Sequence, residues 1–265
     1  MKLSFFALAS LLIPVSAAAQ QTTGTATYMR TMQMQLGAQA GDPMMAMLPK
    51  SRTDKFELLF GNNQSLWKHA DEEAGADEVS GNGMQIRMVA QGQNDVIFCD
   101  FAGARKTEQR EMLERKFIVA DSIRRLSWIL SSETKTILGH PCRKATAQRA
   151  GRRTQMTMEN GKIERKEVAD TATIIAWFTP DIPVPAGPEV QGQLPGLILA
   201  LDINDGRIVY QATDLSPKAD LTLIKEPTKG KKLSPDEYTK ETAKMMEELQ
   251  KNIQAGGGNR IIRMN

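Results

Sequence analysis

The chain has 265 residues, 41% of them hydrophobic, and a formal net charge of +3 from 34 basic and 31 acidic side chains. So near-neutral a balance excludes a general electrostatic drive toward nucleic acid, which calls for a strongly basic face. The length suits one large domain or two small ones.

Residues 1–19 predict a cleavable secretory leader. Lys2 forms a short basic region, an apolar core spans residues 5–15, and Ala17-Ala18-Ala19 gives an A-x-A cleavage site. The mature chain then starts at Gln20 and is exported to the periplasm, or secreted. No cysteine follows the cleavage site to carry a lipid anchor. No later apolar run approaches the about 20 residues that cross a bilayer, so no transmembrane segment is expected in the mature chain.

Residues 24–36 alternate small or apolar with polar side chains, as a half-buried strand does. Residues 56–60 predict a second strand, ended by the turn-rich Gly61-Asn62-Asn63, and residues 71–83 an acidic exposed loop. Short strand-like runs follow at 84–89, 95–101, 106–112, 116–120, 125–130, 135–138 and 142–149. Residues 151–166 are polar and extend as a hairpin around Asn160-Gly161, a favoured turn pair. Residues 173–178 read as a central strand.

Residues 176–201 then pack five prolines and three glycines between two apolar runs. Proline fixes φ and glycine reaches dihedrals closed to other residues, so this segment holds one irregular shape at low entropic cost. Asn204-Asp205-Gly206, between strands at 197–203 and 207–213, is the clearest hairpin signal. Residues 220–225 predict a last strand. Ser234, Pro235 and Glu237 form a capping box, which starts a helix that runs to Gln254 and stops at Gly256. Its sparse apolar positions predict a surface helix or a mobile tail. Residues 260–264 add one short strand.

Many short strands with one late helix predict a mainly β fold, a large curved antiparallel sheet shaped as a half-barrel or sandwich with a concave face. A single β-rich domain covers residues 20–233, with a C-terminal helix and tail over 234–265.

Signals for chemistry are few. The two histidines, His69 and His140, belong to no metal or catalytic pattern, and no nucleophile elbow, Walker loop or dinucleotide fingerprint is present. A non-enzymatic protein without a cofactor is expected. Cys99 and Cys142 predict a disulfide in an oxidising compartment, with two buried free thiols as the alternative. The crowded methionines Met44, Met45 and Met47 offer soft sulfur to Cu(I), against the alternative that they are incidental or packing material. Trp67, Trp128 and Trp177 are core candidates, with a ligand-stacking role on the concave face as the alternative. The basic cluster Arg149, Arg152 and Arg153 reads as a solvated turn, with phosphate or lipid-headgroup contact as the alternative.

The Pro/Gly segment resembles the signature of the GLPGLI family, exported proteins found mainly in Bacteroidetes. The matching residues are Trp177, Pro180, Pro183, Gly187, Pro188, Leu194, Pro195, Gly196 and Leu197, with further likeness at Trp128 and over residues 137–146. Gln193 stands where the family's first motif glycine would be. The resemblance implies a β-rich envelope protein without an established activity, and an outer-membrane receptor or transport component as a partner. The resulting expectation is a protein that binds an apolar ligand or such a partner, with periplasmic copper binding through the methionines as the alternative.

Overall fold

A computed structural model describes residues 21–33, 50–70, 78–81, 84–87, 95–159 and 162–255. Met44, Met45 and Met47 and the expected leader, Asn160-Gly161 turn, Gly256 helix stop and strand at 260–264 lie outside the described residues.

The strands are β1 (Gly24–Gln33), β2 (Ser51–Gly61), β3 (Gln64–His69), β4 (Glu78–Gly81), β5 (Met84–Arg87), β6 (Val96–Asp100) and β7 (Arg105–Met112). β8 (Arg115–Ser122), β9 (Ile129–Ile137), β10 (His140–Glu159), β11 (Lys162–Thr179), β12 (Leu197–Ile203), β13 (Ile208–Ser216) and β14 (Lys231–Leu233) follow, then helix α1 (Pro235–Ala255). Twelve of them form one sheet in the order β14-β8-β7-β6-β3-β2-β1-β13-β12-β11-β10-β9, while β4 and β5 pair separately. The sheet is antiparallel throughout except at β14, which pairs in parallel with β8. This bears out the mainly β, single-sheet reading.

The order has a simple origin. β2 to β8 step outward from β1 on one side, and β13 back to β9 step outward on the other. Within the sheet the two meanders meet where β1 pairs with both β2 and β13. Alternation decides the faces: Ala26 and Tyr28 of β1, Phe56, Leu58 and Phe60 of β2, and Ile174, Ala176 and Phe178 of β11 enter one large core. On the opposite face Leu59, Leu66 and Phe98 form a smaller core with Ile224.

The curvature follows from chain length. Six residues, 123–128, carry the chain from β8 to β9, which lie near opposite ends of the sheet order. Such a link spans at most about 25 Å. Ten ladder steps of about 4.8 Å would set those strands about 48 Å apart on a flat surface. The sheet must therefore fold back on itself, and residues 123–128 form a strap across its concave side.

Several expectations change: the cluster at 149–153, expected as a turn, lies within β10 and pairs with β11, and the loop expected over 71–83 contains β4. Residues 220–225 form a 3-10 turn, Leu221–Leu223, because the Asp220 carboxylate accepts from the Thr222 N–H at 2.9 Å and closes the turn. Residues 125–128 belong to the strap, and β9 runs unbroken from Ile129 to Ile137. Helix α1 starts at the expected capping box, with Glu237 accepting from Ser234 N at 2.8 Å. It is docked and no mobile tail: Met245 is buried and the Tyr238 ring meets Phe117 edge-on at 5.6 Å.

Candidate functional site

A cleft of about 1070 Å³ opens on the concave face. Its floor is built by β1, β2, β3, β6, β7 and β13. The strap forms one wall, and residues 189–193 of the Pro/Gly loop, with Arg149 of β10, form the other.

The floor is a consequence of register. Tyr28, Arg30 and Met32 share one face of β1, and Arg30 lies directly opposite Asp54 on β2 and Tyr210 on β13. Arg30 meets Asp54 at 2.8 Å, and Arg52 bonds the other carboxylate oxygen at 2.9 Å. Burial raises the Asp54 pKa, but the hydrogen bonds from Arg30 and Arg52 outweigh it and hold the carboxyl below its ordinary range. The Arg30 guanidinium also lies over the Phe56 ring, 4.6 Å from its centre. Phe56 stacks on Trp67 at 5.1 Å, and Tyr28 and Tyr210 approach the same indole at 5.2 and 5.9 Å. Farther along the floor, Glu108 is buried between Lys106 and Arg110. Its pKa stays low because those two cations overcome its burial.

The loop wall is held from several sides. Ser65 donates to Gln191 Oε1 at 2.5 Å, and Tyr210 donates to Glu189 at 2.7 Å. Gln193 Oε1 accepts from the Leu126 N–H at 2.9 Å and from the Trp128 indole N–H at 3.1 Å, which ties loop to strap. Ile182, Val184, Ala186, Val190 and Leu194 sink into the large core beneath. Glu189 adopts a positive φ of 58°, a conformation that costs a non-glycine residue about 1–2 kcal/mol. Its carboxylate is thereby aimed at Tyr210, with Arg149 at 3.5 Å on its other oxygen.

The family-like residues divide by role. Leu194 and Leu197 are core, Pro188 is buried, and Pro180, Pro183 and Pro195 lie at the surface. Gly196 is required for space: a Cβ there would sit 2.2 Å from the Thr179 carbonyl oxygen. A Cβ on Gly187 would meet Ile198 at 2.6 Å. Trp177 is half-buried away from the cleft, under the Lys135 ammonium at 4.3 Å. The cleft is instead lined by the residues between these landmarks, Glu189, Val190, Gln191 and Gln193. A positive φ falls on Gly192, at 77°, next to position 193 and against Ile123 of the strap.

The disulfide expectation is corrected. Cys99 and Cys142 are both free and buried, on β6 and β10, with six strands between them in the sheet order. Burial raises their thiol pKa values to about 12 and about 11. Among the three tryptophans, Trp67 is buried in the floor, and Trp128 and Trp177 pack against the core's edge. His69 meets the Phe56 ring at 5.3 Å, and His140 lies 3.8 Å from Asp181. Among the described residues, no group of three or more His, Cys, Asp or Glu is placed to hold a metal ion. No described helix is long and apolar enough to cross a membrane.

Arg30, Asp54, Glu189 and Tyr210 did not stand out in the sequence. A signal existed for the first two. Arg30 is in phase with the buried Ala26 and Tyr28, and Asp54 with Phe56, Leu58 and Phe60, and a charge in step with a buried stripe marks an internal ion pair.

A family model described as a protein of unknown function (Porph_ging) matches residues 128–200. That stretch holds the end of the strap, β9 to β11, the Pro/Gly loop and the start of β12. No curated protein matches the chain. Two structures of PNGF-II, in the C2 and P21 space groups, are similar to it at 18% and 17% identity, each with a TM-score of 0.48. They align with 82% and 83% of this chain and with 32% of the PNGF-II chain, so the protein spans about a third of their length.

Proposed function

We propose that the protein is a non-enzymatic binding protein of the cell envelope, of the GLPGLI type, that takes a ligand into the cleft between sheet, strap and Pro/Gly loop. The observation that carries this reading is the pre-formed wall. Gln191, Gln193 and Glu189 each tie the loop to a different partner, so little ordering entropy is left to lose when a ligand enters. The family-like residues support it by acting as scaffold for those three contacts.

The non-enzymatic part rests on how the acidic side chains of the cleft are engaged. Asp95 accepts from the Glu111 N–H at 3.2 Å, Glu108 is clasped by Lys106 and Arg110, and Glu189 by Tyr210 and Arg149. Export rests on the leader pattern of residues 1–19, and N-terminal sequencing of the envelope form is expected to begin at Gln20. Basic side chains outnumber acidic ones in the lining, which supports a ligand with a polar end beside the apolar body that the sequence suggests.

Thermal unfolding of the protein against fractionated envelope extract tests the reading. A bound ligand stabilises the fold by mass action, so at least one fraction is expected to raise Tm in a concentration-dependent way. If no fraction does, the cleft is not a binding site.

A further inference from the structure

The cleft's basic side chains are unequally neutralised. Arg30 and Arg52 share Asp54, Lys106 and Arg110 share Glu108, Arg124 meets Asp121 at 3.3 Å, and Arg149 shares Glu189 with Tyr210. Arg125, exposed on the strap, meets no carboxylate among the described residues. In all, seven basic and four acidic side chains line the cleft, and Asp54 beneath Arg30 and Arg52 is a fifth carboxylate, which leaves an excess of two basic groups. A concave site with low-dielectric walls focuses the field of such an excess. Guanidinium groups bind carboxylate, sulfonate and phosphate oxygens with paired hydrogen bonds. Beside them Met32, Ile97, Ile123 and Leu126 give the same cleft an apolar lining.

We propose that the cleft selects organic anions, with the acidic group held between Arg125 of the strap and Arg149 of β10 and an apolar body lying against Ile97 and Leu126. This rests on the cleft being a binding site at all, and it adds the class of ligand. The two arginines are carried by separate elements, and the Gln193 contact to Leu126 fixes the strap residue next to Arg125. The anion would thus meet a strap whose backbone beside Arg125 is held before it arrives.

A matched pair of fluorescent probes tests this: 8-anilinonaphthalene-1-sulfonate and N-phenyl-1-naphthylamine, which share a ring body but only the first of which carries a charge. The sulfonate is expected to bind about tenfold more tightly or better, with that advantage shrinking between about 0.05 and 0.5 M salt. Arg125→Gln and Arg149→Gln are each expected to weaken the sulfonate several-fold and leave the neutral probe unchanged. Arg143→Gln, at an exposed position outside the cleft, is expected to change neither. Dodecanoate should displace the sulfonate, and inorganic phosphate at equal concentration should not.

Equal affinity for both probes, insensitive to Arg125→Gln, would overturn the anion selectivity and leave cleft binding standing. Failure of both probes to bind would remove cleft binding as well. Displacement by phosphate as strong as by dodecanoate would overturn the role of the apolar body. Near-ultraviolet circular dichroism of the two arginine variants separates lost contacts from lost structure.

Discussion

Trp128 donates its indole N–H to Gln193 at 3.1 Å across 65 residues of sequence, joining the end of the strap to the Pro/Gly loop. The same side-chain oxygen accepts from the Leu126 backbone, so one amide closes both walls of the cleft. Removing it leaves an indole and a backbone donor without their partner. Gln193→Gly is expected to destabilise the fold by about 1–3 kcal/mol. It should also speed amide exchange at Leu126, while exchange in β1 and β2 stays unchanged. Equal exchange at Leu126 in both proteins would show that the strap does not depend on this contact.

Gly196 admits no side chain. With the Thr179 carbonyl 2.2 Å from where a Cβ would stand, Gly196→Ala must push backbone against backbone at the head of β12. A cost of about 3 kcal/mol or more is expected, at the upper end of overpacking penalties. Urea unfolding measures it, and a midpoint equal to wild type would contradict the close approach of β11 and β12.

Asp54 is the counterion that makes the buried Arg30 tolerable. Asp54→Asn leaves that guanidinium without its charge partner, an event that costs about 3–5 kcal/mol in buried pairs. The pH dependence carries a definite sign. The folded-state carboxyl titrates below its ordinary value, so its contribution is present above about pH 4 and is lost as pH falls through the folded-state pKa. Acid unfolding of wild type should therefore show a component below about pH 4 that Asp54→Asn lacks. Parallel acid limbs in the two proteins would count against the pair.

The two thiols act oppositely in pH. Both are raised in the folded state, to about 12 for Cys99 and about 11 for Cys142, because burial disfavours the thiolate. The stability linked to them is complete below the unfolded thiol's pKa and is lost as pH rises from about 9 through the folded values. Stability is expected to decline in that alkaline window, less so in Cys99→Ala with Cys142→Ala. At pH 8 a reductant should leave Tm unchanged, and both thiols should react with a thiol reagent only after unfolding. A Tm that drops on reduction would restore the disulfide.

Much of the architecture was legible because it follows from local rules. The alternation of β1, the Asn204-Asp205-Gly206 turn and the Ser234–Glu237 capping box each declare themselves within a few residues, and each appears where expected. The number of short strands predicts a curved sheet, whereas its geometric cause, a six-residue link between near-opposite ends of the sheet, is invisible until the strand order is known. The cleft was hidden for a related reason. Arg30, Asp54, Tyr210 and Glu189 meet through ladders and loops separated widely in sequence, and only the burial phase of the first two hinted at it. The Pro/Gly segment declares itself by composition, but its prolines and glycines shape the wall while Glu189, Gln191 and Gln193 between them line the cleft. The cysteines misled because strand membership says nothing about strand order.

Native mass spectrometry of the protein drawn from its own cells without denaturation probes ligand binding in the cleft most directly. A stoichiometric adduct is expected, an acidic organic molecule that is retained by Arg143→Gln and lost from Arg125→Gln with Arg149→Gln. A spectrum showing only the bare chain mass, or an adduct indifferent to the loss of both cleft arginines, would contradict it.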